Sequence, residues 1–278
     1  MSGLLTLLIL LFSVSSSIGQ NLSEAREVYN RMMKAIEQIN TCTFTISIEE
    51  RVFDKYMKSR HQVKLQARPF KTYLKSEFPD KGAEVLYIAG SNHGKALINP
   101  NKFPFMNVNL LPTSSLLRKN HQYTVAQMGF GHLYSLLRGY ERKEHENFFN
   151  KLHLSRDSEG ELILEIRNHE FGYLNYKVMK GETLTSIAEK FLINDQMILA
   201  LNPDCDYYDD VRPGQVISIP NSFGKRIIFH IDRKTGLPLK QTIYDDKGLF
   251  SKVEFSSFVL NPVLKENEFT KDFPGYGF

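Results

Sequence analysis

The chain has 278 residues, a formal net charge of +4, 42% apolar residues, 12% aromatics and no tryptophan. This composition excludes a disordered chain and suits one large domain or two smaller ones. The modest charge argues against a nucleic-acid binder.

The first residues, "GLLTLLILLFSVSSSIGQ", give an uncharged apolar run of about ten residues and then small polar ones, too short to span a bilayer core of about 30 Å. They read as a secretory leader over residues 1–20, although no Lys or Arg opens it. Ser17 and Gly19 favour cleavage before Gln20 or Asn21. The expected mature protein is periplasmic or secreted and lacks a transmembrane segment. An oxidising compartment would permit the only two cysteines, Cys42 and Cys205, to pair, but two unpaired small side chains remain the simpler reading.

From Ser23 to Asn40, Ala25, Val28, Tyr29, Met32, Ile36 and Ile39 recur at helical spacing with charged residues opposite, which predicts an amphipathic helix. At Thr41 the period becomes two: Phe44, Ile46 and Ile48 alternate with polar residues, as in a strand with one buried face. Strand-like runs follow in "HQVKLQARPFKTYLKSE", "AEVLYIAG" and "GKALINP", separated by turn signals at Pro79–Gly82 and Ser91–Gly94. These connections predict an antiparallel meander.

Phe130, Leu133, Tyr134, Leu136 and Leu137 predict a helix broken around Gly129 and Gly139 and ending in a charged run that reads as a solvated face. Strand patterning resumes in "GELILEIRNHEFG" and again in "KRIIFHIDRKTGLPLKQTIYDDKGLFSKVEFSSFVL", with hairpin signals at Lys234–Gly236 and Asp245–Gly248. The expected fold class is α+β with a large antiparallel sheet.

Between these runs lies "YKVMKGETLTSIAEKFLINDQMILALNPDCDYYDDVRPGQVISIP". Leu184, Ile187, Ala188 and Phe191 stand at i, i+3, i+4 and i+7, with Thr183 placed to cap the helix they define. Asn194 can cap a second helix, and Asn202-Pro203 ends it. Flanking short strands complete a strand, helix, helix, strand unit.

This segment closely resembles the LysM domain, through Tyr176, Val178, Gly181, Thr183, Leu184, Ile187, Ala188, Phe191, Leu201, Asn202, Pro203, Pro213, Gly214, Gln215, Ile219 and Pro220. The resemblance implies binding of an N-acetylglucosamine glycan, most often peptidoglycan, in a shallow groove. By position it points to Gly181, Glu182, Thr183 and Leu184 on one side and Asn202, Pro203 and Asp204 on the other. Glu182 departs from the more frequent Asp, and "DCDYYDD" makes the second loop acidic. Residues 173–221 hold four Lys or Arg against seven Asp or Glu, a net −3, which leaves +7 elsewhere. A packing module that has lost sugar binding is the plain alternative.

Because the first and last strands of such a unit pair, its ends lie close together, and it can replace a hairpin turn at little cost to a host. The expected partition is a leader over 1–20, a host in two parts over 21–172 and 222–278, and an insertion over 173–221. "ELILEIRNHEF" is expected to pair with "RIIFHID" across the insertion.

The host pattern, in "QARPFKTYLK", "GAEVLYIAG" with "GKALINP", "GFGHLYSLL" and "DRKTGLPLKQTIYDDKGL", resembles the uncharacterised DUF1571 family and, more distantly, periplasmic lipoprotein carriers of the LolA and LolB type. That resemblance implies a curved half-barrel sheet whose apolar hollow, covered by helices, can hold acyl chains. It implies also that Arg68, before Pro69, latches a helical lid through backbone carbonyls. Leu65, Phe70, Tyr73 and Tyr87 are candidates to line the hollow, each of which reads equally as plain core.

The eight histidines form no HExxH pair and the cysteines no cluster, so a zinc site is not expected. Glu141, Glu144 and Glu146 sit in the charged run, which offers no reason for a raised pKa and hence no glycosidase pair. The sequence reading is an exported, non-enzymatic protein of a Gram-negative envelope, without cofactor. It is expected to bind peptidoglycan through the LysM-like segment and a lipid or lipoprotein through the host. The alternatives are an enzyme or accessory of wall remodelling and a wall-attached scaffold.

Overall fold

The structure, a computed structural model, describes residues 21–103 and 105–278; the expected leader lies outside the described residues. Helix α1 covers residues 21–37, and its apolar stripe is buried against the sheet through Val28, Tyr29, Met32 and Ile36. The next strands are β1 (Thr41–Val52), β2 (Lys55–Gln66), β3 (Lys71–Phe78), β4 (Glu84–Ile88), β5 (Ala96–Asn99) and β6 (Val108–Leu110). They pair in succession as the expected antiparallel meander. The single run read from "HQVKLQARPFKTYLKSE" is in fact two strands, with the reversal at residues 67–70.

Helix α2 (Ser115–Arg118) precedes α3 (Gly131–Glu144) and α4 (Glu146–Phe149). Contrary to expectation, α3 runs unbroken through Gly139. The reason is tertiary: a Cβ there would lie 2.7 Å from Leu192 Cδ1, so glycine serves close approach rather than a break. Nor is the charged run only solvated. Glu146 takes Arg26 Nη1 of α1 at 2.9 Å, and Glu144 pairs with Lys151 at 2.7 Å.

The chain continues through β7 (Leu152–Arg156), β8 (Leu162–Arg167) and β9 (Tyr173–Lys177), then α5 (Leu184–Phe191) and α6 (Asp195–Leu201). It closes with β10 (Val216–Pro220), β11 (Arg226–Ile231), β12 (Pro238–Asp245) and β13 (Gly248–Leu260). Among the described residues, eleven strands form one sheet in the order β6-β5-β4-β3-β2-β1-β13-β12-β11-β8-β7, and β9 and β10 form a separate two-stranded sheet. Strands β8 and β11 pair from Arg167↔Arg226 to Leu162↔Ile231, as expected across the intervening segment. Cys42 and Cys205 are both free and buried, in different apolar clusters.

Strand alternation divides the sheet's side chains between two faces. Phe44, Ile46, Val63, Leu65, Phe229 and Phe255 meet α1, α3 and α4 in the main core. On the other face Tyr73, Leu86 and Phe269 form a small cluster sealed by the C-terminal tail, with Tyr73 stacked on Tyr276 at 3.7 Å.

Because β8 pairs with β11 directly, the sheet does not depend on what lies between them. Replacing residues 173–221 by a short Gly-rich turn is expected to leave the far-ultraviolet circular dichroism of the host sheet in place while lowering its melting temperature by several degrees. Loss of the β signal in that variant would count against the partition.

Candidate binding sites

In the segment from β9 to β10 the two helices are capped as their sequence requires. Thr183 Oγ1 accepts from Ser186 N at 3.1 Å and Ser186 Oγ accepts from Thr183 N at 2.9 Å, while Asn194 Oδ1 accepts from Gln196 N at 2.8 Å. Leu184, Ile187, Ala188, Ile198, Ile217 and Ile219 form a core of their own. Met197, however, turns outward and joins the core of the large sheet.

The seven residues expected at the glycan groove divide by what their side chains already do. Glu182 accepts from Tyr176 Oη at 2.8 Å, from Met179 N at 2.9 Å and from Lys190 Nζ at 3.1 Å. The Met179 amide, aided by Tyr176 and Lys190, holds its carboxyl below the usual range. Asn202 donates to Ile198 O and Ser218 O at 2.7 and 2.8 Å and accepts from Ser218 N at 2.9 Å. Thr183 is a cap and Leu184 is fully buried. Gly181 turns the chain at φ 84°, and Pro203 and Asp204 are exposed. The two flanks are joined where Leu184 N donates to Tyr208 O at 2.7 Å.

The large sheet encloses a cavity of about 700 Å³. Its walls include Ile46, Leu74, Ile98, Ile227, Ile243 and Phe255. Ile98 on β5 and Ile227 on β11 stand seven strand spacings apart, about 34 Å on a flat sheet, so sharing one cavity requires the sheet to curve around it. The volume lies in the range of small-molecule sites.

None of the five residues expected at the hollow lines this cavity. Leu74 and Ser76 face it, so the pleat turns Tyr73 to the opposite face, against Tyr276. Leu65 is packed core under Gly129. Phe70 is half-buried beside Tyr87, ring centroids 6.1 Å apart. Arg68 Nη2 donates to a backbone carbonyl at the end of helix α1, Glu37 O at 2.7 Å.

That cover is fixed by polar groups. Buried Glu50 accepts from Gln122 N at 3.0 Å and lies 3.1 Å from His121 Nδ1, while Gln122 Nε2 donates to Arg51 O and Phe250 O. His61 also lines the cavity, its ring centroid 6.2 Å from that of His121. Burial, reinforced by His121, pushes the His61 imidazole down to about 4. Glu50 shares the parity of Phe44, Ile46 and Ile48 on β1, and His61 that of Val63 and Leu65 on β2, so both placements were readable from alternation.

Arg118 joins the cover to the helical segment. Its Nη1 and Nη2 donate to the Asp195 carboxylate at 2.7 and 2.8 Å, Nη2 donates also to Gln122 O at 2.6 Å, and its Cζ lies 3.8 Å from the Tyr208 ring centroid. Thr185 Oγ1 donates to Asp195 Oδ2 at 2.8 Å. Tyr140 Oη on α3 donates to Leu192 O at 2.9 Å. No pattern in the sequence pointed to Arg118.

One group among the described residues, Asp157, Glu161 and His230, brings potential metal-ligating atoms within 4.8 Å of one another. Asp157 Oδ1 already accepts from Glu159 N and Glu161 N, and Glu161 Oε2 lies 3.0 Å from His230 Nδ1, which accounts for the grouping as a turn and an ion pair.

Arg118→Ala is expected to lose about 3–5 kcal/mol in urea denaturation, because it strands the Asp195 carboxylate in the interior. The Arg118→Met/Asp195→Leu double variant should recover most of that loss; equal costs for single and double variants would remove the clamp's role. A second expectation follows from His61. Its folded pKa is below its unfolded one, so between about pH 6.5 and pH 4 the unfolded chain binds the proton more readily. Stability is therefore full above that window and falls with pH through it, by about 3 kcal/mol at most. His61→Gln should flatten urea-midpoint profiles in this range, and an unchanged slope would refute the assignment.

No curated protein matches the chain by sequence. Residues 39–168 match the family model described as "Protein of unknown function (DUF1571)", and residues 176–220 match that of the LysM domain. Among solved structures, the chain is similar to an uncharacterised conserved protein from Thermus thermophilus at 10% identity and TM-score 0.39, covering 91% of this chain and 95% of that one. It is similar to a LolA superfamily protein from Nitrosomonas europaea at 10% identity and TM-score 0.32, covering 90% and 98%. A putative outer membrane lipoprotein-sorting protein domain from Vibrio parahaemolyticus matches at 12% identity and TM-score 0.34, covering 90% and 98%. By sequence, residues 39–168 are thus similar to the DUF1571 family and residues 176–220 to the LysM domain.

Proposed function

We propose that this chain is an exported, non-enzymatic protein of the bacterial envelope that holds a lipid or lipidated partner in the cavity of its large sheet. The LysM domain, in this reading an insertion over residues 173–221, binds peptidoglycan or another N-acetylglucosamine glycan and places the protein at the wall. The observation that carries the reading is the cavity itself, about 700 Å³ with largely aliphatic and aromatic walls under a helical cover. Burying an acyl chain there would remove apolar surface from water on both partners. Among the described residues, no helix is long and apolar enough to cross a membrane.

The glycan reading rests on the LysM match and on the groove which that resemblance implies between the Gly181–Leu184 turn and the loop after α6. With Glu182, Thr183 and Asn202 engaged internally, recognition there falls to backbone groups and to the exposed Pro203 and Asp204. Asn202 then acts by holding its loop, a positioning role.

Two measurements test the two halves separately. Lipid extraction and mass spectrometry of the purified protein, with titration of a fluorescent fatty acid, should reveal binding. Filling the cavity with Val253→Trp should weaken it roughly tenfold, about 1.4 kcal/mol. Wild-type protein should also sediment with purified sacculi, whereas the turn-replaced variant should stay in the supernatant. No bound acyl species and no probe binding would end the carrier reading; wild type left wholly in the supernatant would end the wall reading.

A further inference from the structure

The walls of the cavity are largely apolar, but some of the polar side chains on them are not engaged by the protein. Glu50, His121 and Arg118 already have partners, Gln122 N and His121 for Glu50 and Asp195 for Arg118. His61 and Ser76 do not. Both line the cavity and are only 7% and 5% exposed, and His61 Nδ1 and Ser76 Oγ have no hydrogen-bond partner among the described residues. The two residues are Cα partners across β2 and β3. Side chains directly opposed in an antiparallel pair have Cβ atoms roughly 4.5–5.5 Å apart, so one guest group can reach both. A buried polar atom without a partner costs stability, and a guest that bonds to it recovers that cost on binding.

Charge decides which head group fits. Glu50 is itself buried and puts a carboxylate on the same walls, separated from His61 by the His121 ring. Of the cations that line the cavity, Arg118 is neutralised by Asp195 at 2.7 Å, Lys102 pairs with Asp80 at 2.6 Å, and Lys119 is exposed. Burial keeps His61 uncharged near neutral pH, its imidazole being pushed down to about 4. A carboxylate or phosphate brought to His61 and Ser76 would therefore lose its hydration without gaining a cation. A neutral imidazole has one donor and one acceptor, and a hydroxyl has both, so the pair is complementary to a guest hydroxyl.

We infer that His61 and Ser76 form a polar subsite inside the cavity for an uncharged, hydroxyl-bearing head group, so that the guest is a neutral amphiphile of the monoacylglycerol class rather than an ionised fatty acid. The inference rests on the lipid reading of the cavity and specifies it. The head is held within the sheet, and the acyl chain lies along Leu74, Ile227 and Phe255. An ionised fatty acid still gains from burial of its chain, but it binds more weakly.

The test is displacement of the bound fluorescent fatty acid from the mature chain by three competitors with the same acyl chain, monooleoylglycerol, methyl oleate and oleate, at a pH where oleate is ionised. Monooleoylglycerol should displace the probe at roughly tenfold lower concentration than methyl oleate, which has no donor, and than oleate, which is charged. That preference should shrink in Ser76→Ala and fall to within about twofold in His61→Leu/Ser76→Ala. Both variants delete buried atoms that lack a partner, so their melting temperatures should stay at or above that of wild type. Equal displacement by all three competitors, a preference for oleate, or a monooleoylglycerol preference that survives the double variant would each overturn the subsite and leave the carrier reading standing. Wild-type protein that binds neither the probe nor any competitor would remove the carrier reading itself and the subsite with it, so the two failures are distinct.

Discussion

The structure turns on one buried guanidinium. Arg118 leaves the cover of the cavity and enters the LysM domain, where the Asp195 carboxylate takes both of its terminal nitrogens and the Tyr208 ring lies against its face. Removing two charges from water is costly, and only close bidentate geometry with further hydrogen bonds offsets it. Thr185 and Gln122 supply those bonds from opposite sides of the interface. Since Tyr208 O also accepts the Leu184 amide, one residue touches both the start of α5 and the arginine of the cavity cover.

This clamp works because the chain leaves and re-enters the large sheet at neighbouring points. Asn168 N donates to Lys225 O at 2.9 Å just beyond the β8–β11 pair, and Asn221 N donates to Gly172 O at 2.9 Å at the root of the small sheet. The LysM domain is held at its root by these bonds and at its far side by Arg118 and by Leu192 against Gly139. Met197 of α6 and Leu192 also pack with the core of the large sheet.

The opposite face of the sheet is closed by the C-terminal tail, through Tyr276 on Tyr73 and the Glu268 pair with Lys64 at 2.6 Å. On the cavity side, Leu116 is both strongly exposed and part of the cavity wall.

Periodicity alone determined most of the architecture. Alternation in Phe44, Ile46 and Ile48 marked β1, the Leu184 to Phe191 spacing marked α5, and turn residues at 79–82, 91–94, 234–236 and 245–248 fell between strands that do pair. These signals are local, set by the two-residue and 3.6-residue repeats of backbone geometry. What only the tertiary structure decided was which face each repeat presents to what. Tyr73 looked like a cavity residue, but register sends it outward; Gly139 looked like a break and is a contact; Arg118 carried no signal in the sequence and is buried against Asp195. Each of those outcomes depends on a partner more than fifty residues away, Tyr276, Leu192 or Asp195, and no local pattern encodes where a distant segment will come to rest.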